Sequence, residues 1–421
     1  MDEILVRGGR KLSGTIAANG SKNAGLPILA ATLLADGEYH IKNIPNLSDI
    51  RTMIKLLRTI STEAEFTDHE LKIITKKEKN HEAPYELVKT MRASIYALGP
   101  LLARCGEAKV SFPGGCALGA RPIDYHLEAL HKLDVTIQIK HGYIYAKTKG
   151  LKGSQIYFEN KTVGATANVL MAAVLAEGTT VIQNAACEPE ISNLANFLNK
   201  MGAHIEGHGT ESITVHGVKM LHPADYSLIP DRIEVGTLLV AGAITNGKIT
   251  VTNCMPEHSG IVLNKLRDIG YTLEVDEHSI TIYNKGKRKP VEISTNPYPA
   301  FPTDLQPLFA ALLSTIEGKS IINENIFSDR FMYISELQRL GADIKLSGNR
   351  ISINGGNKLS GAQVMAPDIR AAAALITAAL ATEGKTKISR VYHLDRGYEH
   401  LENKLASLGA DIERIETDAL Y

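Results

Sequence analysis

The chain reads as an α/β protein assembled from six copies of one unit, and three observations carry that reading. One phrase recurs: Leu34-Ala35-Asp36-Gly37-Glu38-Tyr39-His40-Ile41, Ala176-Glu177-Gly178-Thr179-Thr180-Val181-Ile182, Ala243-Ile244-Thr245-Asn246-Gly247-Lys248-Ile249, Ile316-Glu317-Gly318-Lys319-Ser320-Ile321 and Thr382-Glu383-Gly384-Lys385-Thr386-Lys387-Ile388. A weaker copy occupies 104–110 around Gly106. The glycines fall at intervals of roughly 70 residues, the length of one supersecondary unit. Each follows an apolar stretch, where a glycine in the left-handed region ends a helix. Each also opens a short run of β-type residues, as a strand would.

The elements follow in order along each copy. The alanine-rich stretches 26–34, 169–176, 237–244, 306–315 and 371–381 predict helices buried on most sides. Beyond the glycine and its strand comes an amphipathic helix, as in 191–198 and 333–340, with apolar residues at i, i+3, i+4 and i+7. Three of these run into Gly202-Ala203-His204-Ile205, Gly341-Ala342-Asp343-Ile344 and Gly409-Ala410-Asp411-Ile412, a glycine stop leading into a strand. Alternating runs at 212–215 and 350–353 add further strands. Each copy is therefore of βαβαββ type, with an inner and an outer helix. Three copies per domain, apolar helices inside and sheets outside, account for helices this apolar.

Composition narrows the class. At 421 residues the chain should hold at least two domains, and 44% apolar with 22% charged residues is ordinary for a globular protein. Net charge is zero, so bulk charge advertises no nucleic-acid surface. The start, Met1-Asp2-Glu3-Ile4, has no signal-peptide pattern, and the apolar stretch 169–176 is too short to span a bilayer. Cys105, Cys116, Cys187 and Cys254 show no metal-ligand spacing, which fits a reducing cytoplasm. No Walker loop or dinucleotide fingerprint occurs.

The polar residues keep the register of the repeat. About 14–15 positions before each glycine stand Lys22, Arg92, Gly164, Arg232, Asp304 and Arg370. About 12 positions after most of them stand Asp49, Glu190, Ser259, Arg330 and Arg396. Both sets fall at helix starts, where outward N–H groups favour anions and repel cations. Basic residues held there in register point to a shared anion site. One copy departs from the pattern with Phe112-Pro113-Gly114-Gly115-Cys116-Ala117-Leu118-Gly119-Ala120-Arg121-Pro122-Ile123-Asp124, about three residues longer than its sister loops. Its glycines suit a lid, and an arginine near Cys116 favours the thiolate. The other three cysteines read as small apolar fillers.

That loop, together with Asn19-Gly20-Ser21-Lys22-Asn23-Ala24 and Asp395-Arg396-Gly397-Tyr398-Glu399, closely resembles the UDP-N-acetylglucosamine 1-carboxyvinyltransferase family, the fosfomycin targets that open bacterial peptidoglycan synthesis. The resemblance covers the whole chain. It implies two inverse α/β-barrel-like domains of three repeats, 22–230 and 1–21 with 231–421, and an active site in the cleft between them. It implies transfer of enolpyruvyl from phosphoenolpyruvate to the sugar 3′-hydroxyl by addition and elimination, with no metal or organic cofactor. Cys116 would be the proton donor and Asp304 the base. Lys22, Arg121 and Arg396 would hold the substrate trianion, with Arg92 near phosphate and nucleotide and Asn23 hydrogen-bonding the substrates. Arg121, Pro122, Ile123, Asp124 and Tyr125, with Thr162, Val163, Gly164 and Ile326, fall at the uridine-nucleotide positions. Arg330 and Arg370 join the substrate-binding set. The implied partners are these two small molecules, with neither nucleic acid nor membrane.

Three other readings share the scaffold. A 5-enolpyruvylshikimate-3-phosphate synthase lacks the Gly-Gly-Cys loop. An RNA 3′-terminal phosphate cyclase wants a histidine nucleophile and a basic surface. A non-catalytic nucleotide-sugar sensor would be expected to lose Cys116 or Asp304, and both are present.

Overall fold

In the computed structural model, which describes residues 2–60, 62–76, 80–89, 91–112 and 123–416, the repeat is visible sheet by sheet. The described strands form six four-stranded sheets on one plan. The third copy shows it in full. Gln155–Tyr157 pairs parallel with Thr179–Gln183, which pairs antiparallel with Ser212–His216, which in turn pairs with His204–Glu206. Parallel neighbours need a crossover, and the inner helix Val163–Ala173 supplies it. The outer helix Pro189–Lys200 leads into the hairpin. This is the βαβαββ order predicted from the repeat.

Some sheets are completed by distant strands. Tyr226–Ser227 closes the sheet of Gly37–Lys42, and Asp2–Arg7 lies between Lys385–Ser389 and Asp411–Glu416. Ser13–Ala17 pairs parallel with Lys248–Thr252. Among the described residues the chain divides into two compact units, 20–229 and 2–19 with 230–416.

Each unit has its own core around three inner helices. In 20–229 these are Lys22–Ala31, Leu98–Cys105 and Val163–Ala173; in the other they are Arg232–Ile244, Gln306–Ser314 and Ile369–Leu380. Ala165 to Ala173 and Ala371 to Leu380 are buried without a break, as helices apolar all round must be. The outer helix Ser48–Ile60 instead buries one stripe, including Ile50, Met53, Ile54, Leu57 and Ile60. Replacing a fully buried inner residue such as Leu170 by alanine should cost about 2–5 kcal/mol.

The glycine reading needs one correction. Only Gly106 caps its helix directly, in the left-handed region at φ 73, with its N–H on Leu102. Gly37, Gly178, Gly318 and Gly384 also have positive φ, but they sit a few residues past their helices, where the chain turns into the strand. At Gly247 the left-handed residue is Asn246, φ 51. Glycine is needed there for space, since a Cβ would lie 2.2 Å from the Leu12 carbonyl oxygen.

Candidate active site

The two register positions of a repeat meet in space. Lys22 opens the helix Lys22–Ala31, and Asp49 lies in the first turn of Ser48–Ile60. Lys22 Nζ is 2.7 Å from Asp49 Oδ2, and both residues are buried. The preceding residues fix this approach. The Ser21 side chain caps the helix by accepting the Ala24 N–H, while the Ser21 N–H donates to the Ile229 carbonyl. A Cβ at Gly20 would lie 1.6 Å from the Asn43 carbonyl oxygen, so only glycine lets the chain pass. Asn23 follows, half-buried.

The same unit gathers the expected nucleotide positions at two helix starts. Ile123 precedes the helix Asp124–Lys132, which carries Asp124 and Tyr125; Thr162 caps Val163–Ala173 by accepting the Ala165 N–H. Asn160 Nδ2 donates to the Tyr125 hydroxyl at 2.8 Å, and the Tyr125 ring meets Phe158 edge-on. His126 and Asn168 tie these starts to Arg92, which opens the short helix Arg92–Ala97. Asn168 Nδ2 donates to His126 Nδ1 at 3.0 Å and to the Ile95 carbonyl at 2.9 Å, and Asn168 Oδ1 accepts the Gly99 N–H at 2.7 Å. Burial, with the charge of Arg92, pushes the His126 pKa down to about 4, so the ring is neutral. Its Nε2 would lie 3.0 Å from a Cβ at Gly164, which explains why this repeat carries glycine where others carry a charged residue.

In the unit 2–19 with 230–416 the same two positions meet with their charges exchanged. Asp304 lies in the turn Thr303–Leu305, ahead of Gln306–Ser314. Arg330 Nη1 donates to Asp304 Oδ1 at 2.7 Å and to the Thr303 hydroxyl at 2.9 Å. Arg370, from the next repeat, donates to Asp304 Oδ2 through Nε at 3.1 Å and Nη2 at 2.8 Å. Burial alone would raise the Asp304 pKa, but the two guanidiniums outweigh it and hold the carboxyl well below the usual range. Glu324, 1% exposed, organises the floor. It accepts the Thr303 and Thr295 hydroxyls and the N–H groups of Ile326 and Phe327, which fixes the Ile326 segment.

Arg396 ends the turn Val391–Arg396, and its neighbours in the sequence are each held by a specific contact. Arg414 grips Asp395 through two nitrogens, at 2.6 and 3.0 Å, and also Glu402 at 3.1 Å. A Cβ at Gly397 would lie 2.5 Å from Ile369. The Tyr398 hydroxyl is 2.9 Å from that of Thr237, its ring lies beneath the Arg370 guanidinium, and Glu399 accepts from Asn19 at 3.0 Å.

The structure therefore brings together Asp304, Arg330 and Arg370 in one unit, and Arg92 with 123–126 and 162–164 in the other. Lys22 meets Asp49, while Arg232 lies over the Tyr298 ring. Cys116, Arg121 and Pro122 lie outside the described residues. Cys187 and Cys254 are buried, as apolar fillers should be, and burial pushes the Cys254 thiol up to about 11. The sequence reading missed His126, Asn168, Glu324 and Arg414. Only Asp395 beside Arg396 hinted at the last.

Comparison with known proteins accords with this arrangement. The family described as EPSP synthase (3-phosphoshikimate 1-carboxyvinyltransferase) matches residues 6–405. A UDP-N-acetylglucosamine 1-carboxyvinyltransferase of Geotalea daltonii is 50% identical over 416 residues, covering 99% of this chain and all of the relative. One from Myxococcus xanthus is 51% identical over 417 residues, covering 98% of this chain and 99% of the relative. The enolpyruvyl transferase NikO of Streptomyces tendae superposes with a TM-score of 0.89 at 27% identity, over 98% of each chain. EPSP synthase from Acinetobacter baumannii shares the fold, with a TM-score of 0.79 at 18% identity over 99% of this chain and all of that one. The chain belongs to the EPSP synthase family of enolpyruvyl transferases, among its UDP-N-acetylglucosamine 1-carboxyvinyltransferases.

Proposed function

We infer that this chain transfers the enolpyruvyl group of phosphoenolpyruvate to the 3′-hydroxyl of UDP-N-acetylglucosamine, releasing phosphate, the opening reaction of peptidoglycan synthesis. The observation that carries this is identity of about half, end to end, with proteins named for that reaction. The shikimate-3-phosphate acceptor is not favoured, because the relatives that share about half of this chain's residues are named for the nucleotide sugar.

The reaction needs an acid, a base and fixed positive charge. A proton passes from the Cys116 thiol to the methylene carbon of phosphoenolpyruvate as the sugar oxygen bonds to the neighbouring carbon. The hydroxyl proton goes to Asp304. The resulting tetrahedral ketal then loses a methyl proton and phosphate, which restores the double bond. Lys22, Arg121 and Arg396 bind the carboxylate and phosphate, for which planar guanidiniums and an ammonium are suited. Arg92, Asn23, 121–125, 162–164 and Ile326 hold the nucleotide and sugar. Arg330 and Arg370 have a second task. While both sit on Asp304 it is a weak base, and the incoming phosphate competes for Arg370, so the carboxylate gains basicity as substrate binds. Neither a metal nor an organic cofactor is called for by this chemistry.

No described helix is long and apolar enough to cross a membrane, and we place the protein in the cytoplasm, where both substrates would be met. The test is the product. Mass spectrometry after incubation with both substrates should show UDP-N-acetylglucosamine carrying one enolpyruvyl ether, and an unmodified nucleotide would refute the reading.

A further inference from the structure

We propose that His204, Glu206 and His216 form a surface site for a divalent transition-metal ion of the kind imidazole favours, such as zinc or nickel. The strand ladder builds it. His204 and Glu206 are two residues apart on the strand His204–Glu206, so their side chains share a face. His216, on Ser212–His216, is the direct antiparallel partner of His204. All three side chains offer a ligand atom, and these atoms lie within 4.8 Å of one another. His204 Nε2 is 2.9 Å from Glu206 Oε1, and the two imidazole rings are 4.6 Å apart.

A second contact argues for a ligand role. Thr179, the partner of His216 on the other side, places its hydroxyl 3.1 Å from His216 Nδ1. Metal-binding histidines commonly have their other ring nitrogen held in this way, which fixes ring orientation and leaves Nε2 for the ion. Two imidazoles and a carboxylate are a known zinc donor set, with the remaining position left to water. Affinity across the first-row ions should rise from manganese toward copper. The His204 and Glu206 side chains are more than half exposed, so an ion reaches them from solvent. None of the three enters the reaction proposed above, so loading should leave turnover unchanged. It should instead raise the thermal midpoint, because an ion bound only by the folded chain stabilises it.

Calorimetric titration of the chelator-stripped full chain with nickel chloride tests the site, with the cysteines common to every variant. Wild type should take up one equivalent. His204→Gln and His216→Gln should each weaken that uptake at least about tenfold, and Thr179→Val by about tenfold, with turnover and circular dichroism unchanged. Wild-type uptake in the His204→Gln/His216→Gln double variant, or no uptake by wild type, would overturn the proposal.

Discussion

Arg370 holds Asp304 in a fork, Nε at 3.1 Å and Nη2 at 2.8 Å from the same carboxylate oxygen, and leaves the other oxygen to Arg330. The anion that two of the in-register basic residues of this unit, Arg330 and Arg370, hold is thus one of the protein's own carboxylates. It marks the place where a substrate anion would have to compete.

Removing that carboxylate should be costly. Asp304→Asn takes from two buried guanidiniums the carboxylate that both of them hold. Because 24% of the Asp304 side chain is exposed, about 2–3 kcal/mol is expected, on the low side of a fully buried pair. Since the folded pKa is depressed, the pair's contribution is fully present above the unfolded carboxyl value of about 3.9 and fades as pH falls below it. Urea unfolding at pH 7 checks the first point and at pH 3 the second. Equal midpoints for variant and wild type at pH 7 would contradict the ion-pair account.

His126 should dominate a different pH window. Its pKa falls from about 6.5 unfolded to about 4 folded, so the unfolded chain binds the extra proton between these values. Stability should therefore decline by up to about 3 kcal/mol as pH falls from 6.5 to 4. His126→Gln, which cannot titrate, should flatten that decline in urea midpoints measured across the window. An unchanged slope would show that other groups carry it.

On the proposed role of Arg396 in binding phosphoenolpyruvate, Arg414, which holds the neighbouring Asp395, should act as its positioning residue. Arg414→Lys cannot reproduce the two-nitrogen grip and should raise KM for phosphoenolpyruvate about tenfold, with little change in KM for the nucleotide sugar. Steady-state kinetics with each substrate varied will separate the two. A loss spread equally over both constants, or rescued by lower temperature, would mark a merely structural role.

Repetition made the fold legible in the sequence. Lys22, Asp304 and Arg370 were found at helix starts because a glycine about 14–15 residues on marked each one. The pairing of Lys22 with Asp49, and of Asp304 with Arg330, was hidden in the same register, since both positions were visible but not their meeting. Glu324 and Asn168 were illegible for a physical reason. Glu324 takes the hydroxyls of Thr295 and Thr303 besides its local N–H groups, and Asn168 serves the Ile95 carbonyl and the Gly99 N–H, and contacts between distant segments leave no periodic trace. His204 and His216 were equally hidden, because only strand pairing sets them side by side.

Cys116 should stand apart from the other thiols. Burial raises the Cys187 and Cys254 pKa values and suppresses their thiolates. Fosfomycin, an epoxide, should therefore spare Cys187 and Cys254, and with Cys105 packed against the core it should label Cys116 alone in intact-protein and peptide mass spectrometry. Cys116→Ser should lose activity by roughly 10²–10⁴-fold, whereas Cys116→Asp, still an acid, should keep much of it and resist the epoxide. Equal labelling of Cys105 and Cys116 would sink the assignment.

The acceptor decides the reaction, and phosphate release from phosphoenolpyruvate in the presence of each candidate acceptor reports which one this chain uses. With UDP-N-acetylglucosamine the wild-type chain should release phosphate in step with acceptor consumed, and Asp304→Asn should slow this by roughly 10²–10⁴-fold. With shikimate-3-phosphate at the same concentration, release should stay at background. Comparable or faster release with shikimate-3-phosphate, or none with the nucleotide sugar, would contradict the account.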